Sequence, residues 1–174
     1  FLSKLQGLTV RLEGKKTVEV LRDDSRSPLV HLVTDEKLAE FWVAHSDVSG
    51  PENIQEPKRE DVESRRVSVA LPLTSDAGSG GQVFAFLPTT ESSGLPFIIN
   101  ADFVLSTSRE RIQYDRRWNH WLRDCVATTF VEAFERLLQQ PEHRLRGYCY
   151  IPLAEDVPEA FFRPVVDVIH HTLT

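Results

Sequence analysis

Cysteine is scarce: the chain has only Cys125 and Cys149, which stand at no metal-ligand spacing and frame no disulfide network. A reduced, intracellular (cytoplasmic or nuclear) compartment is the default for such usage. No apolar run approaches membrane-spanning length, and no charged-then-apolar leader precedes the first strand signals, so the chain reads as soluble and without a membrane partner. Positive charge is not in excess either, since 20 Lys and Arg face 26 Asp and Glu for a formal net charge of -6. That balance argues against non-specific contact with nucleic acid or an anionic membrane as the main task. The first residue is Phe1, inside an apolar stretch, rather than a methionine, so the expectation is a piece of something longer.

What is present suffices for one ordinary domain, with 174 residues of which 41% are hydrophobic. Residues 1–46 are rich in strand signals. Leu8, Val10 and Leu12 alternate with Thr9 and Arg11, Glu13-Gly14-Lys15-Lys16 supplies a turn, and Val18 and Val20 resume the alternation, which predicts a hairpin. Leu29 to Val33 adds a third strand, and Leu38 to Ala44 fits a short helix or a strand. Residues 47–66 turn polar, with Pro51, Pro57 and the Lys58-Arg59-Glu60-Asp61 block, and read as a mobile connection without apolar residues for a core.

Residues 67–174 form the second portion. Val67 to Leu73 and Val83 to Leu87 predict two adjacent strands, separated by a Gly/Ser loop, and Phe97 to Leu105 predicts another. From about Arg117 to Gln140, apolar residues at Trp118, Trp121, Leu122, Cys125, Val126, Phe130, Ala133, Phe134, Leu137 and Leu138 fit a helix with one wide buried face, stopped by Pro141. Tyr148 to Ile151 reads as a short strand, and Pro158 as the first-turn proline of a helix carrying Phe161, Phe162, Val165, Val166 and Ile169. Strands grouped before helices predict an α+β fold of two layers, a mixed sheet packed against long helices.

Asp76-Ala77-Gly78-Ser79-Gly80 has the D-x-G-x-G look of a nucleotide turn, but it lies between two strands rather than at a strand-to-helix junction, and a plain hairpin loop explains it. His170 and His171 are adjacent, so their rings diverge on a helix and read as surface. His31, His45, His120 and His143 have no partner at ligand spacing, and Ser92-Ser93-Gly94 lacks the elbow of a serine nucleophile. Asp102, inside an apolar strand, must face solvent, find a donor or shift its protonation, and the period of two sets it on one face with Asn100.

The stretch Ser106-Thr107-Ser108-Arg109-Glu110-Arg111-Ile112-Gln113-Tyr114 ends a strand and precedes the long helix. A guanidinium at such a junction stays charged and grips phosphate oxygens in a fork. Arg109, Arg111, Arg116, Arg117 and Arg123 fall close together, interleaved with Glu110, Asp115 and Asp124, so the plain reading is a solvated mixed-charge surface with one functional member. For Arg109 the structural alternative is an ion pair with Glu110, Asp102 or Asp115.

Ser108-Arg109-Glu110-Arg111-Ile112-Gln113, with Phe103 before it and Leu122-Arg123-Asp124-Cys125 through Phe134-Glu135-Arg136-Leu137 after it, resembles the middle domain of the ninety-kilodalton heat-shock chaperone around its Ser-Arg-Glu motif. Val83-Phe84-Ala85-Phe86-Leu87-Pro88, Gly94-Leu95-Pro96-Phe97 and Asn100-Ala101-Asp102-Phe103, in this order, are similar to the segment that follows the ATPase domain of sacsin-like proteins. The resemblance runs from about Arg66 to Thr174, and more loosely over Phe1 to Asp47. It implies a transducer-like, S5-like domain of a GHKL-type ATPase. ATP with magnesium would be held by a preceding nucleotide-binding domain of the same polypeptide, with a protein client or a second copy as further partners. It also implies that Arg109 contacts the γ-phosphate and acts catalytically in trans, with Ser108 beside it and Gln113 supporting the loop. Where the chaperone has asparagine three positions before its arginine, this chain has Ser106. Neither a magnesium-site helix nor an adenine-binding glycine turn is present, so the segment alone would neither bind ATP tightly nor hydrolyse it. The alternatives are a non-enzymatic interaction domain that has lost its link to ATP, and an acid/base enzyme built on Asp102 and a nearby arginine.

Overall fold

Apolar residues that alternate with polar ones can bury one side of a pleated strand, and such segments contribute to a mixed sheet of eight strands among the described residues. The computed structural model describes residues 6–10, 18–34, 37–51, 54, 56–57, 59, 64–75 and 80–174. The strands are β1 (Gly7–Val10), β2 (Val18–Arg26), β3 (Leu29–Val33), β4 (Leu38–Ser49), β5 (Ser64–Pro72), β6 (Gln82–Ala85), β7 (Leu87–Ser92) and β8 (Ile98–Asn100). The helices are α1 (Arg117–Leu138), α2 (Arg144–Gly147) and α3 (Arg163–Leu173). The fold is α+β.

From β1 to β5 the chain is an antiparallel meander, each strand pairing with the next. The expected hairpin and third strand are there, although the turn residues Glu13 to Lys16 lie outside the described residues. Leu38 to Ala44, open between helix and strand, is strand. Its ladder with β5 runs from Phe41↔Pro72 to Ser49↔Ser64, so the ends of the polar 47–66 stretch are paired backbone. Trp42 and Ala44 face the helices opposite Leu71 and Val69, and the Trp42 indole N–H donates to the Ala133 carbonyl at 3.2 Å. α1 lies across β4 and β5, and α3 packs on α1.

Four expectations are corrected. β5 and β6 are not neighbours, because β8 lies between them, antiparallel to β5 and parallel to β6. Ile98, Ile99 and Asn100 are all buried, so this segment takes a slot covered on both faces. The strand expected over 97–105 stops at Asn100, where Ala101 N–H turns to the Phe84 carbonyl and Val104 finds a side chain in place of a strand. Tyr148–Tyr150 is a 3-10 turn following α2 rather than a strand, held where the Tyr150 hydroxyl donates to the Pro72 carbonyl. The last helix starts at Arg163, and Pro164, not Pro158, occupies its first turn, where a missing N–H costs nothing. Its buried residues include Val165, Val166 and Ile169 as the spacing required. The long helix ends at Leu138, three residues before Pro141. Among the described residues no helix is long and apolar enough to cross a membrane.

Candidate functional site

The chain leaves β8 at Asn100 and reaches α1 through residues 101–116, and this passage is built around one buried amide. Asn119, in the first turn of α1, is fully buried. Its Oδ1 accepts the Val104 N–H at 2.7 Å, and its Nδ2 donates to the Val104 carbonyl at 2.8 Å and the Gln113 carbonyl at 2.9 Å. One side chain therefore ties together both ends of the intervening loop. The ends also meet directly, through Gln113 N–H to the Val104 carbonyl at 3.0 Å and a bridge between Leu105 and Ile112. Gln113 adds a bond from Nε2 to the Leu105 carbonyl at 3.0 Å, and its Oε1 accepts from Arg116 Nε at 2.8 Å.

Inside this frame the loop is tightly folded. Ser106 N–H donates to the Arg111 carbonyl and Arg109 N–H to the Ser106 carbonyl, both at 2.8 Å. The Ser106 and Ser108 hydroxyls lie 3.0 Å apart, so Ser106 braces the turn from within. Arg109 has φ +61°. A left-handed conformation costs a non-glycine residue roughly 1–2 kcal/mol, and such strain persists where the surroundings impose it. Arg109 is exposed, and its side chain makes no hydrogen bond or ion pair with any described residue. The ion pair weighed for it does not form among the described residues.

Two further fastenings hold the loop to its surroundings. Thr90 of β7 gives both its N–H, at 3.0 Å, and its hydroxyl, at 3.1 Å, to the Glu110 carbonyl. The Tyr114 hydroxyl donates to Glu91 Oε2 at 2.7 Å while its ring stacks on Phe161 at 4.6 Å. Burial, with the Glu91 carboxylate assisting, pushes the Tyr114 phenol up, so it remains a donor.

Asp102 found donors. Arg59 grips it in a fork, Nε to Oδ2 at 2.8 Å and a terminal nitrogen to Oδ1 at 2.7 Å. Arg65 Nε lies 3.0 Å from Oδ2, close enough for an ion pair but not aligned for a hydrogen bond. Both guanidinium carbons sit over the Trp118 ring, at 5.8 and 5.4 Å, and the Trp118 indole donates to the Asp102 carbonyl at 2.9 Å. A carboxylate occupied by two guanidiniums is a structural hub, which leaves the acid/base alternative without a free base. Asn100 serves another element, accepting the Phe86 N–H at 2.9 Å, so the shared polar face ends where the strand does.

The remaining candidates separate. Arg123 is spent on Asp124 and the Phe161 carbonyl, whereas Arg111, Arg116 and Arg117 are exposed around the loop. Burial, then Asp124, pushes the Cys125 thiol up to about 11, as suits a half-buried packing residue. His170 Nε2 meets the Pro152 carbonyl at 2.8 Å. Residues 76–79 of the glycine-rich turn lie outside the described residues. Among the described residues no group of His, Cys, Asp or Glu is placed to hold a metal. Sequence reasoning brought Ser108, Arg109 and Gln113 into one loop but missed Asn119, Thr90 and the Arg59–Arg65 clasp. Only Asn119 left a signal, as an amide set among the apolar positions of the helix.

Protein NO VEIN of Arabidopsis thaliana is 30% identical to this chain over 161 residues. The likeness marks a distant link. It takes in 87% of this chain but 5% of that protein, so the chain spans about one-twentieth of the length of the curated relative it matches. No protein-family profile matches the chain, and no solved structure matches it.

Proposed function

We propose that this chain is the coupling segment of a longer GHKL-type ATPase, a transducer-like, two-layer domain of the kind found in sacsin-like proteins and the ninety-kilodalton heat-shock chaperone. Its 105–112 loop would present Arg109 to the γ-phosphate of ATP, which with magnesium is held by a preceding domain of the same polypeptide. One observation carries this reading: Arg109 stands at the tip of a braced loop, in a left-handed conformation, with its guanidinium unpaired among the described residues. A merely structural arginine would be expected to find a carboxylate, as Arg59 and Arg123 do.

In this mechanism the guanidinium offers a fork of donors to the charge that develops on the transferred phosphoryl group. Ser108 stays beside it through the Ser106 hydroxyl, and Gln113 holds the base of the loop. Because Asn119 and Arg116 join that base to α1, a pull on Arg109 moves the start of the helix, and the helix carries the movement onward. Arg109→Ala in the full-length polypeptide is expected to lower ATP turnover by roughly 10³-fold or more, the usual effect of losing a phosphate-binding arginine. Unchanged turnover would leave the scaffold as a protein-interaction domain and end the catalytic assignment.

A further inference from the structure

The loop that carries Arg109 offers no net positive field. Its exposed arginines, Arg109, Arg111, Arg116 and Arg117, are matched by Glu110 and Asp115 and by Glu91 and Glu159, both of which act on Tyr114. Attraction of an anion from a distance is therefore weak, and what Arg109 can do for a phosphate depends on where its fork is held. Placement of a long exposed side chain starts from its backbone. At Arg109 that backbone is strained, with φ +61°.

The strain is imposed from two sides. Inside the loop, the Arg109 N–H is held by the Ser106 carbonyl at 2.8 Å. Outside it, the next carbonyl, that of Glu110, accepts the Thr90 N–H at 3.0 Å and the Thr90 hydroxyl at 3.1 Å. One residue thus supplies a donor to each lone pair of that oxygen. Thr90 can do so because β7 is the last strand of the sheet, where outward N–H groups face no further strand. Relaxing Arg109 to a right-handed conformation would rotate the peptide that follows and draw the Glu110 carbonyl off Thr90. Thr90 itself is exposed, so its hydroxyl serves the loop rather than the core.

We propose that Thr90 is a positioning residue for Arg109: by holding the Glu110 carbonyl against the sheet edge, it keeps the loop tip in the left-handed conformation from which the guanidinium addresses a phosphate. This rests on the coupling reading above and adds a support from the sheet to those that Ser108 and Gln113 give within the loop. Thr90 touches no reacting atom and acts only through Arg109.

The test measures ATP turnover of the full-length polypeptide in variants of both residues. Thr90→Val keeps the shape and the N–H but removes the hydroxyl donor, and Thr90→Ser keeps the donor. Thr90→Val is expected to lower kcat about fivefold, the effect of one hydrogen bond, with the KM for ATP and the melting temperature unchanged. Thr90→Ser is expected to stay within about twofold of the parent. In an Arg109→Ala background, Thr90→Val is expected to add nothing to the loss seen in single turnovers, because the two residues act as a unit. Turnover of Thr90→Val within about twofold of the parent, or the same fivefold loss on top of Arg109→Ala, would overturn the positioning role. Arg109→Ala separates the two claims: if it lowers turnover and Thr90→Val does not, coupling stands and positioning falls. If Arg109→Ala leaves turnover intact, both fall together.

Discussion

Asn119 does more for the 105–112 loop than any residue within it. Its amide satisfies both backbone groups of Val104 and the Gln113 carbonyl in a place closed to water. Asn119→Ala leaves the Val104 N–H without a partner, while the Val104 carbonyl keeps the Gln113 N–H and the Gln113 carbonyl keeps the Arg116 N–H, and a buried unsatisfied backbone group costs about 1–3 kcal/mol. A loss of about 1–3 kcal/mol in denaturant unfolding is expected, and a loss under about 0.5 kcal/mol would show that the loop ends hold without the clamp. Arg109 behaves in the opposite way. Exposed and strained, it contributes nothing to the core, and its removal is expected to leave stability unchanged while turnover falls.

At the scale of elements, the loop is rigid because its neighbours are. Gly94, with φ +73°, lets residues 94–96 pass against 156–158, where a methyl group would collide with the Asp156 carbonyl and Pro158. That contact sets the segment that delivers Phe161 to the Tyr114 ring. Gly94→Ala is expected to destabilise the chain by at least about 2 kcal/mol, combining left-handed strain with the clash, as read by thermal unfolding. The strands and α1 were legible because each rests on a local period: Phe130, Ala133, Phe134 and Leu137 could share a face only in a helix. Neighbour order was not legible. Alternation marks β5, β6 and β8 as strands, but nothing in it places β8 between the other two, which depends on which segment is buried on both faces. Tyr148 to Ile151 misled because aromatic content mimics a strand, while the Tyr150 contact with Pro72 is what decides its path. In the loop, Ser108, Arg109 and Gln113 could be named from the sequence because they lie within one short stretch of it. Their supports, Asn119 of α1 and Thr90 of β7, come from separate elements and meet only when folded.

On the coupling reading proposed above, the whole molecule supplies one side of a phosphate site. The loop that carries Arg109 is fastened through the Glu110 carbonyl to Thr90 of β7, the edge strand of the sheet. The most direct test of the central claim is amide hydrogen exchange across residues 105–112 in the full-length polypeptide, with and without a non-hydrolysable ATP analogue. If Arg109 reaches the γ-phosphate, exchange at Thr107 to Arg111 slows when the analogue binds, and the slowing disappears in Arg109→Ala even though the analogue still binds. Identical exchange in the loop with and without bound nucleotide would contradict the account.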